Sequence, residues 1–274
     1  MTCASCGSSS GGDRAAGQYD AIADLYDGYP GNYLEDIPFF VEEAKRAGSP
    51  VLEVGVGTGR LALCLAAVGL DVVGIDSSPA MLGVLVRKRE AAGELPGRLR
   101  VLACDMRAFS LRRRFPMAII AFRTFLYLLT RADQRRALRA IRRHLAAGGR
   151  LAMSFFVPPS ELIERGGTEE QEMTRFAAPE GSGEVVAYDW TEFVRGRQRV
   201  ISHITYEWQD AEGRPRRRLQ RDLVARYLFA DEAPPLLESC GYRVVEAYGG
   251  FDRSALAEDS REQIWIAESR EKER

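Results

Sequence analysis

The sequence predicts a doubly wound α/β fold, a seven-stranded and mostly parallel sheet with an antiparallel β cap inserted after strand five. Three observations point there. Short apolar runs alternate with amphipathic helical segments through the first half of the chain, the pattern of a parallel sheet with helices on both faces. From about residue 184 the helices stop and three extended, alternating segments follow one another. One further helix and two further strand-like segments then end the pattern.

Residues 1–17 are rich in Ser, Gly and Ala, lack apolar periodicity, and read as a disordered tail. Cys3 and Cys6 form a C-x-x-C there. A zinc site needs a second pair, and none follows, so an accidental pair is favoured and no metal is expected. The remaining 18–274 reads as one domain. Strand-like runs sit near 50–55, 71–75, 99–103, 116–122 and 150–157, with helical spacing over 59–68, 79–92 and 132–146. In the last helix Ala137, Leu138, Ile141 and Leu145 form the apolar stripe, and Gly148-Gly149 is expected to end it. The cap is expected within 158–229, with strands at 184–194, 198–209 and 218–229 and a turn at Asp210 to Pro215. A helix over 231–240 ends at Gly241, and strands near 242–248 and 262–268 follow. A cap in this position can fold back over the carboxyl edge of the sheet, where open α/β folds bind ligands.

Composition narrows the partners. The 274 residues carry 38 basic and 39 acidic side chains, a net charge of −1, which gives no electrostatic reason for a nucleic-acid or membrane partner. Runs such as Arg112-Arg113-Arg114 form no stripe and read as solvated faces. No apolar stretch approaches the roughly 20 residues that span a bilayer, and the N-terminus lacks the basic-then-apolar order of a secretory signal. Five scattered cysteines argue against a disulfide framework. A cytoplasmic monomer or homodimer is expected.

The most informative stretch is Val51-Leu52-Glu53-Val54-Gly55-Val56-Gly57-Thr58-Gly59-Arg60. A buried strand runs into glycines and then a helix, so the backbone can turn tightly and present free N–H groups to a ligand. The spacing is G-x-G-x-G, not the G-x-G-x-x-G of a dinucleotide fold, and no G-K-[ST] follows. Glu53 in the strand suits a zwitterionic ligand better than a pyrophosphate. Asp76 ends the second strand, where a carboxylate can accept both hydroxyls of a ribose; the bland reading is a helix N-cap before Pro79.

Read together, these residues resemble the class I S-adenosylmethionine (SAM)-dependent methyltransferases. Glu53 to Gly59 looks like the family's first motif, and Gly74-Ile75-Asp76 like its ribose-binding acidic motif. Asp76-Ser77-Ser78-Pro79-Ala80-Met81-Leu82 resembles its D-x-S-x-x-M-L run, and Cys104-Asp105-Met106-Arg107 its adenine-flanking turn. Ala147-Gly148-Gly149-Arg150-Leu151 resembles its P-G-G-x-L turn, with Ala147 in place of proline. Tyr19-Asp20-x-x-Ala23-x-x-Tyr26-Asp27 is similar to the N-terminal lid helix of the branch that holds glycine and aminosugar N-methyltransferases. The resemblance implies a Rossmann-like methyltransferase fold with SAM as cofactor. It implies that Glu53, Gly55 and Gly57 hold the methionine end, Asp76 takes the ribose, and Ser77 and Met81 line the adenosine pocket. Asp105 and Met106 would clasp the adenine. Tyr19, Tyr26 and Tyr33 would close the lid near the sulfonium, with Phe122-Arg123 between cofactor and substrate.

The activity so implied is methyl transfer from SAM to an N, O or S nucleophile of a small molecule. Such an in-line displacement starts from an activated leaving group, so alignment and water exclusion supply much of the rate. No catalytic dyad is required and none is visible. The pocket candidates are Tyr26, Arg123 and His203. Arg123 can pair with a carboxylate of substrate or SAM, or with a neighbouring acid. His203 alternates with Ile201 and Thr205 on a cap strand, where a structural or exposed role is favoured. His144 reads as a contact with its own helix C-terminus. Tyr206 and Trp208 share one cap face, packing a small core or facing a cationic or ring-bearing substrate. Cys64, Cys104 and Cys240 read as small buried apolar residues. The alternatives are action on protein or RNA, for which a basic surface is usual, a non-catalytic SAM-binding module, and a nucleotide-dependent oxidoreductase. The G-x-G-x-G spacing and the Asp105-Met106 turn speak against the last.

Overall fold

The computed structural model describes residues 17–156, 158–181 and 183–270. The expected tail, apart from Gly17, and its Cys3–Cys6 pair therefore lie outside the described residues. The main sheet is built from β1 (Val51–Val54), β2 (Val72–Asp76), β3 (Leu99–Ala103), β4 (Phe115–Ile120), β5 (Leu145–Phe156), β10 (Tyr242–Tyr248) and β11 (Glu262–Ser269). Its order is β10-β11-β5-β4-β1-β2-β3, with β11 antiparallel to both neighbours and the other pairs parallel. This is the predicted seven-stranded architecture. β1 is buried at all four positions and β4 at five of six, as strands covered on both faces must be.

Helices α1 (Ile37–Ala47), α2 (Arg60–Ala67), α3 (Pro79–Ala91) and α4 (Arg131–His144) cover the sheet. α1 has no counterpart among the helices that the sequence predicts. α3 starts at an N-cap, the Ser78 hydroxyl accepting the Met81 amide at 3.1 Å, and Thr130 caps α4 on the Asp133 amide in the same way.

Two expectations need correction. Gly148-Gly149 does not end α4, which stops at His144; Leu145 is already extended and pairs with Phe115. The last carbonyls find a partner elsewhere, since Arg114 donates to the carbonyls of Arg143 and Leu145 at 2.9 and 3.0 Å. Gly148 instead falls in a register shift of β5. His144 is a neutral bridge here, its Nε2 accepting the Leu111 amide at 2.9 Å while Nδ1 lies 2.8 Å from the Ala140 carbonyl. Burial holds it below the usual imidazole range.

The second correction concerns the N-terminal segment expected to form a lid helix. Only Asp20–Ile22 is helical, as one 3-10 turn, and tight turns continue to residue 32. Side-chain packing shapes this segment. Ile22 and Leu25 are buried against the cap, and a Cβ on Gly28 would stand 2.5 Å from the Phe176 ring.

The cap is a separate antiparallel sheet, β6 (Gln171–Ala177), β7 (Glu184–Val194), β8 (Arg199–Gln209) and β9 (Pro215–Arg226), preceded by α5 (Ser160–Arg165). β6 was not foreseen because its residues are polar and mostly exposed. Tyr206 and Trp208 pack in the cap's small core with Val185, Ala187 and Ile204, which is the packing alternative. After the cap, α6 (Ala233–Ser239) leads back to the sheet. Among the described residues no helix is long and apolar enough to cross a membrane.

Candidate functional site

The site begins where β1 ends. Gly55, Gly57 and Gly59 all take positive φ (76°, 54° and 83°), the region in which glycine carries no steric penalty. A Cβ on Gly55 would stand 2.1 Å from Thr124 Cγ2. Asp76, at the end of β2, pins this turn: its Oδ2 accepts the Gly57 amide and its Oδ1 the Ser78 amide, both at 2.9 Å. Burial pushes the Asp76 carboxyl up, and the amides of Ser78, Gly57 and Ser77 oppose that. The carboxylate keeps acceptor capacity beyond these bonds.

Glu53 is 3% exposed, and its Oε2 is buried with no hydrogen-bond partner among the described residues. Burial drives its carboxyl up to about 8, against the pull of Arg60 and with help from Asp36 and Asp76. A buried carboxyl without a donor is costly unless a ligand supplies one. It faces a small cavity that it shares with Tyr26, Gly55, Gly57, Arg60 and Phe122. Arg60 forms a bidentate, buried pair with Asp36 and also donates to the Tyr33 carbonyl at 2.7 Å. Its guanidinium lies 4.8 Å above the Phe122 ring.

From this cavity a cleft runs along the carboxyl edge of the sheet. It brings together Tyr19, Tyr26, Gly55, Gly57, Asp76 and Ser77 with Asp105, Met106 and Phe122. Met81 stands behind the glycine turn, 4% exposed, with its Cε 3.4 Å from a Cβ placed on Gly57. Tyr33 lies outside the cleft, stacked on Phe122 with ring centres 5.7 Å apart. Burial pushes the Asp105 carboxyl up, but Arg107, bonded to it at 2.6–3.0 Å, outweighs this and holds it below the usual range. Tyr127 was not singled out as a site residue, yet the Tyr19 hydroxyl donates to its hydroxyl. The Tyr19 ring meets those of Tyr127 and Tyr26 edge-on at 5.3 and 5.5 Å.

Beyond Tyr127 lies a second cavity under the cap. Phe122 and Arg123 both adopt left-handed backbone (φ 50° and 65°), a strain of about 1–3 kcal/mol each that clusters at functional sites. Phe122 thereby lines the cleft while Arg123 lines the cap cavity. Arg123 makes the ion pair with a neighbouring acid, Glu262, at 3.0 Å, and stacks 4.9 Å over Phe156. His203 lies on the other side of the cap sheet. Its neighbour Ser202 lines the cavity, so strand alternation turns His203 to the opposite face. There it stacks on Trp190 at 3.8 Å and sits 2.8 Å from Asp222.

Residues 51–149 match the family model described as a methyltransferase domain. Over 120 residues the chain is 39% identical to a demethylmenaquinone methyltransferase of Thermus thermophilus, covering 42% of this chain and 50% of that protein. The chain spans about half the length of the curated relatives it matches first. Among solved structures it resembles the CcbJ methyltransferase of Streptomyces caelestis, with TM-score 0.77 and 24% identity over 94% of this chain and 99% of that one. It also resembles the sugar N-methyltransferase KedS8 of Streptoalloteichus, with TM-score 0.69 and 24% identity over 98% and 99%. At these identities the likeness to solved structures shows the fold.

Proposed function

We propose that this chain, whose residues 51–149 match a methyltransferase-domain model and whose fold is that of the class I S-adenosylmethionine-dependent enzymes, transfers a methyl group from SAM to an N, O or S nucleophile of a small molecule. One observation carries the reading: a buried carboxyl with an unpartnered oxygen, Glu53, stands beside a glycine turn that Asp76 pins from the next strand. That is an acid for a cationic end in the small cavity and an acid for a diol in the cleft that runs from it.

The residues fit the group. Glu53 would meet the ammonium of the methionine part, and Gly55 and Gly57 leave room for its backbone. Asp76 would accept the ribose hydroxyls with its remaining lone pairs, Ser77 and Met81 would flank the adenosine, and Asp105 with Met106 would border the adenine. Bound there, SAM supplies a methyl carbon already activated by its sulfonium. The chain's own part is alignment and exclusion of water. Tyr19, Tyr26 and Tyr127 wall the cleft where it meets the cap cavity, and that cavity is the acceptor site. An acceptor enclosed under a cap is a small molecule, and the likeness to a sugar N-methyltransferase supports that class. The balanced charge and scattered cysteines favour a reducing, cytoplasmic setting.

Calorimetry tests the donor. SAM and S-adenosylhomocysteine are expected to bind and NADH is not. Binding of NADH with no binding of SAM would overturn the reading.

A further inference from the structure

The cap cavity holds an acid that the reading above leaves unused. Asp189 sits in the middle of β7, paired across the sheet with Ile204 of β8 and Gln171 of β6. It lines the cavity together with Thr191 and Ser202. The Tyr29 hydroxyl donates to its Oδ2 at 2.6 Å. Tyr29 is held in turn, because the Tyr206 hydroxyl donates to its carbonyl at 2.7 Å. One oxygen of Asp189 is thus fixed by a chain of two tyrosines reaching from the N-terminal segment into the cap.

The other oxygen is free of such ties. Oδ1 of Asp189 is buried with no hydrogen-bond partner among the described residues. A buried carboxylate oxygen without a donor is unfavourable, so a ligand that brings one gains from the contact. The other charge on the cavity wall is Arg123, and Glu262 already neutralises it at 3.0 Å. The remaining wall is largely apolar, with Leu126, Phe156, Leu162 and Phe193. An apolar chamber with one unsatisfied acid is the composition of a site that orients a ligand by a single polar anchor.

We propose that Asp189, fixed by Tyr29, anchors the methyl acceptor by taking a hydrogen bond from one of its N–H or O–H groups, and that it turns away acceptors carrying negative charge. This rests on the methyl-transfer reading, since the anchor matters only if the cap cavity holds the acceptor. Burial pushes the Asp189 carboxyl up to about 6, opposed by Tyr29 and by His203 across the sheet. The acid is therefore ionised at neutral pH, and a cationic donor gains most. Tyr127, Tyr29 and Arg123 border it on the cavity side.

Three probes of one shape test the anchor: cyclohexylamine, cyclohexanol and cyclohexanecarboxylate, titrated by ligand-observed NMR at pH 7.5 into the full chain saturated with S-adenosylhomocysteine. The amine is expected to bind at least tenfold more tightly than the carboxylate, with the alcohol between. Asp189→Asn keeps the shape and the Tyr29 contact but removes the charge. It is expected to cut the amine-over-carboxylate ratio at least fivefold while S-adenosylhomocysteine affinity stays within twofold. Arg123→Gln is expected to leave that preference for the amine in place. Equal binding of the three probes, no binding of the amine, or an unchanged ratio in Asp189→Asn overturns the proposal. Failure to bind S-adenosylhomocysteine would instead overturn the methyl-transfer reading, and the probe ratio in the free protein would still report on Asp189.

Discussion

The carboxylate of Asp76 accepts the backbone amide of Gly57 at 2.9 Å, which ties the end of β2 to the turn that follows β1. One side chain thus shapes the turn and, on the proposed reading, would present the acceptor for a ribose. Asp76→Ala is expected to lower SAM affinity tenfold or more, about 1.4 kcal/mol, because two hydroxyls lose their acceptor. The Gly57 and Ser78 amides lose theirs as well, so the melting temperature of the free protein should also fall. Calorimetry on the variant checks the first point, and unchanged affinity would rule out the ribose role.

On the proposed reading, Glu53 would link cofactor binding to pH. Its carboxyl, ordinarily near 4.5, is pushed up to about 8 by burial, so in the free protein it is protonated at pH 7. The stability it contributes is complete below about 4.5 and is lost as pH rises through 8, at up to about 1.4 kcal/mol per pH unit. Glu53→Gln should therefore gain stability relative to the parent between pH 5 and 8, as denaturant titrations would read. A cationic ligand beside Glu53 favours its ionised form. SAM binding at pH 7 is then expected to release close to one proton, seen as a binding enthalpy that varies with the ionisation enthalpy of the buffer. The Gln variant should release none.

Gly55 leaves no room for a side chain. Its φ is 76° and a Cβ would stand 2.1 Å from Thr124 Cγ2. Gly55→Ala combines backbone strain with overpacking and should cost about 2–3 kcal/mol in chemical denaturation. Adding Thr124→Ser removes the clashing methyl and is expected to restore only part of that, because the backbone term remains.

What could be read from the sequence was local. Glu53 to Gly59, Asp76 and Asp105-Met106 each sit in a short run whose residue types and spacing carry their meaning, and the cleft and the small cavity meet at Gly55 and Gly57 between them. The features that escaped depend on distant partners. Tyr29 meets Asp189 across 160 positions and Tyr19 meets Tyr127 across 108, so neither pair has a spacing to read. Gly148 looked like a helix stop because nothing in the sequence announced that Arg114 would satisfy the carbonyls of Arg143 and Leu145. β6 carries no alternating apolar signal, since its residues stay exposed. The N-terminal segment keeps only one 3-10 turn and buries Ile22 and Leu25 against the cap, tertiary contacts that local propensity does not register.

Arg60, the last residue of the glycine-rich motif, forms a buried ion pair with Asp36. Both side chains are nearly inaccessible, at 10% and 1% exposure. Removing one partner strands the other charge in the interior, so Asp36→Ala is expected to cost about 3–5 kcal/mol. Replacing both at once with apolar residues, Asp36→Leu with Arg60→Met, should cost less than the sum of the single changes, and a double-mutant cycle by denaturation measures the difference. The pair also bears on Glu53. Arg60 is the group that pulls the Glu53 carboxyl down, so Arg60→Met should raise it further and move SAM-linked proton release to higher pH. A release profile that stays in place in Arg60→Met would mean that Arg60 holds Asp36 and the Tyr33 carbonyl without reaching Glu53.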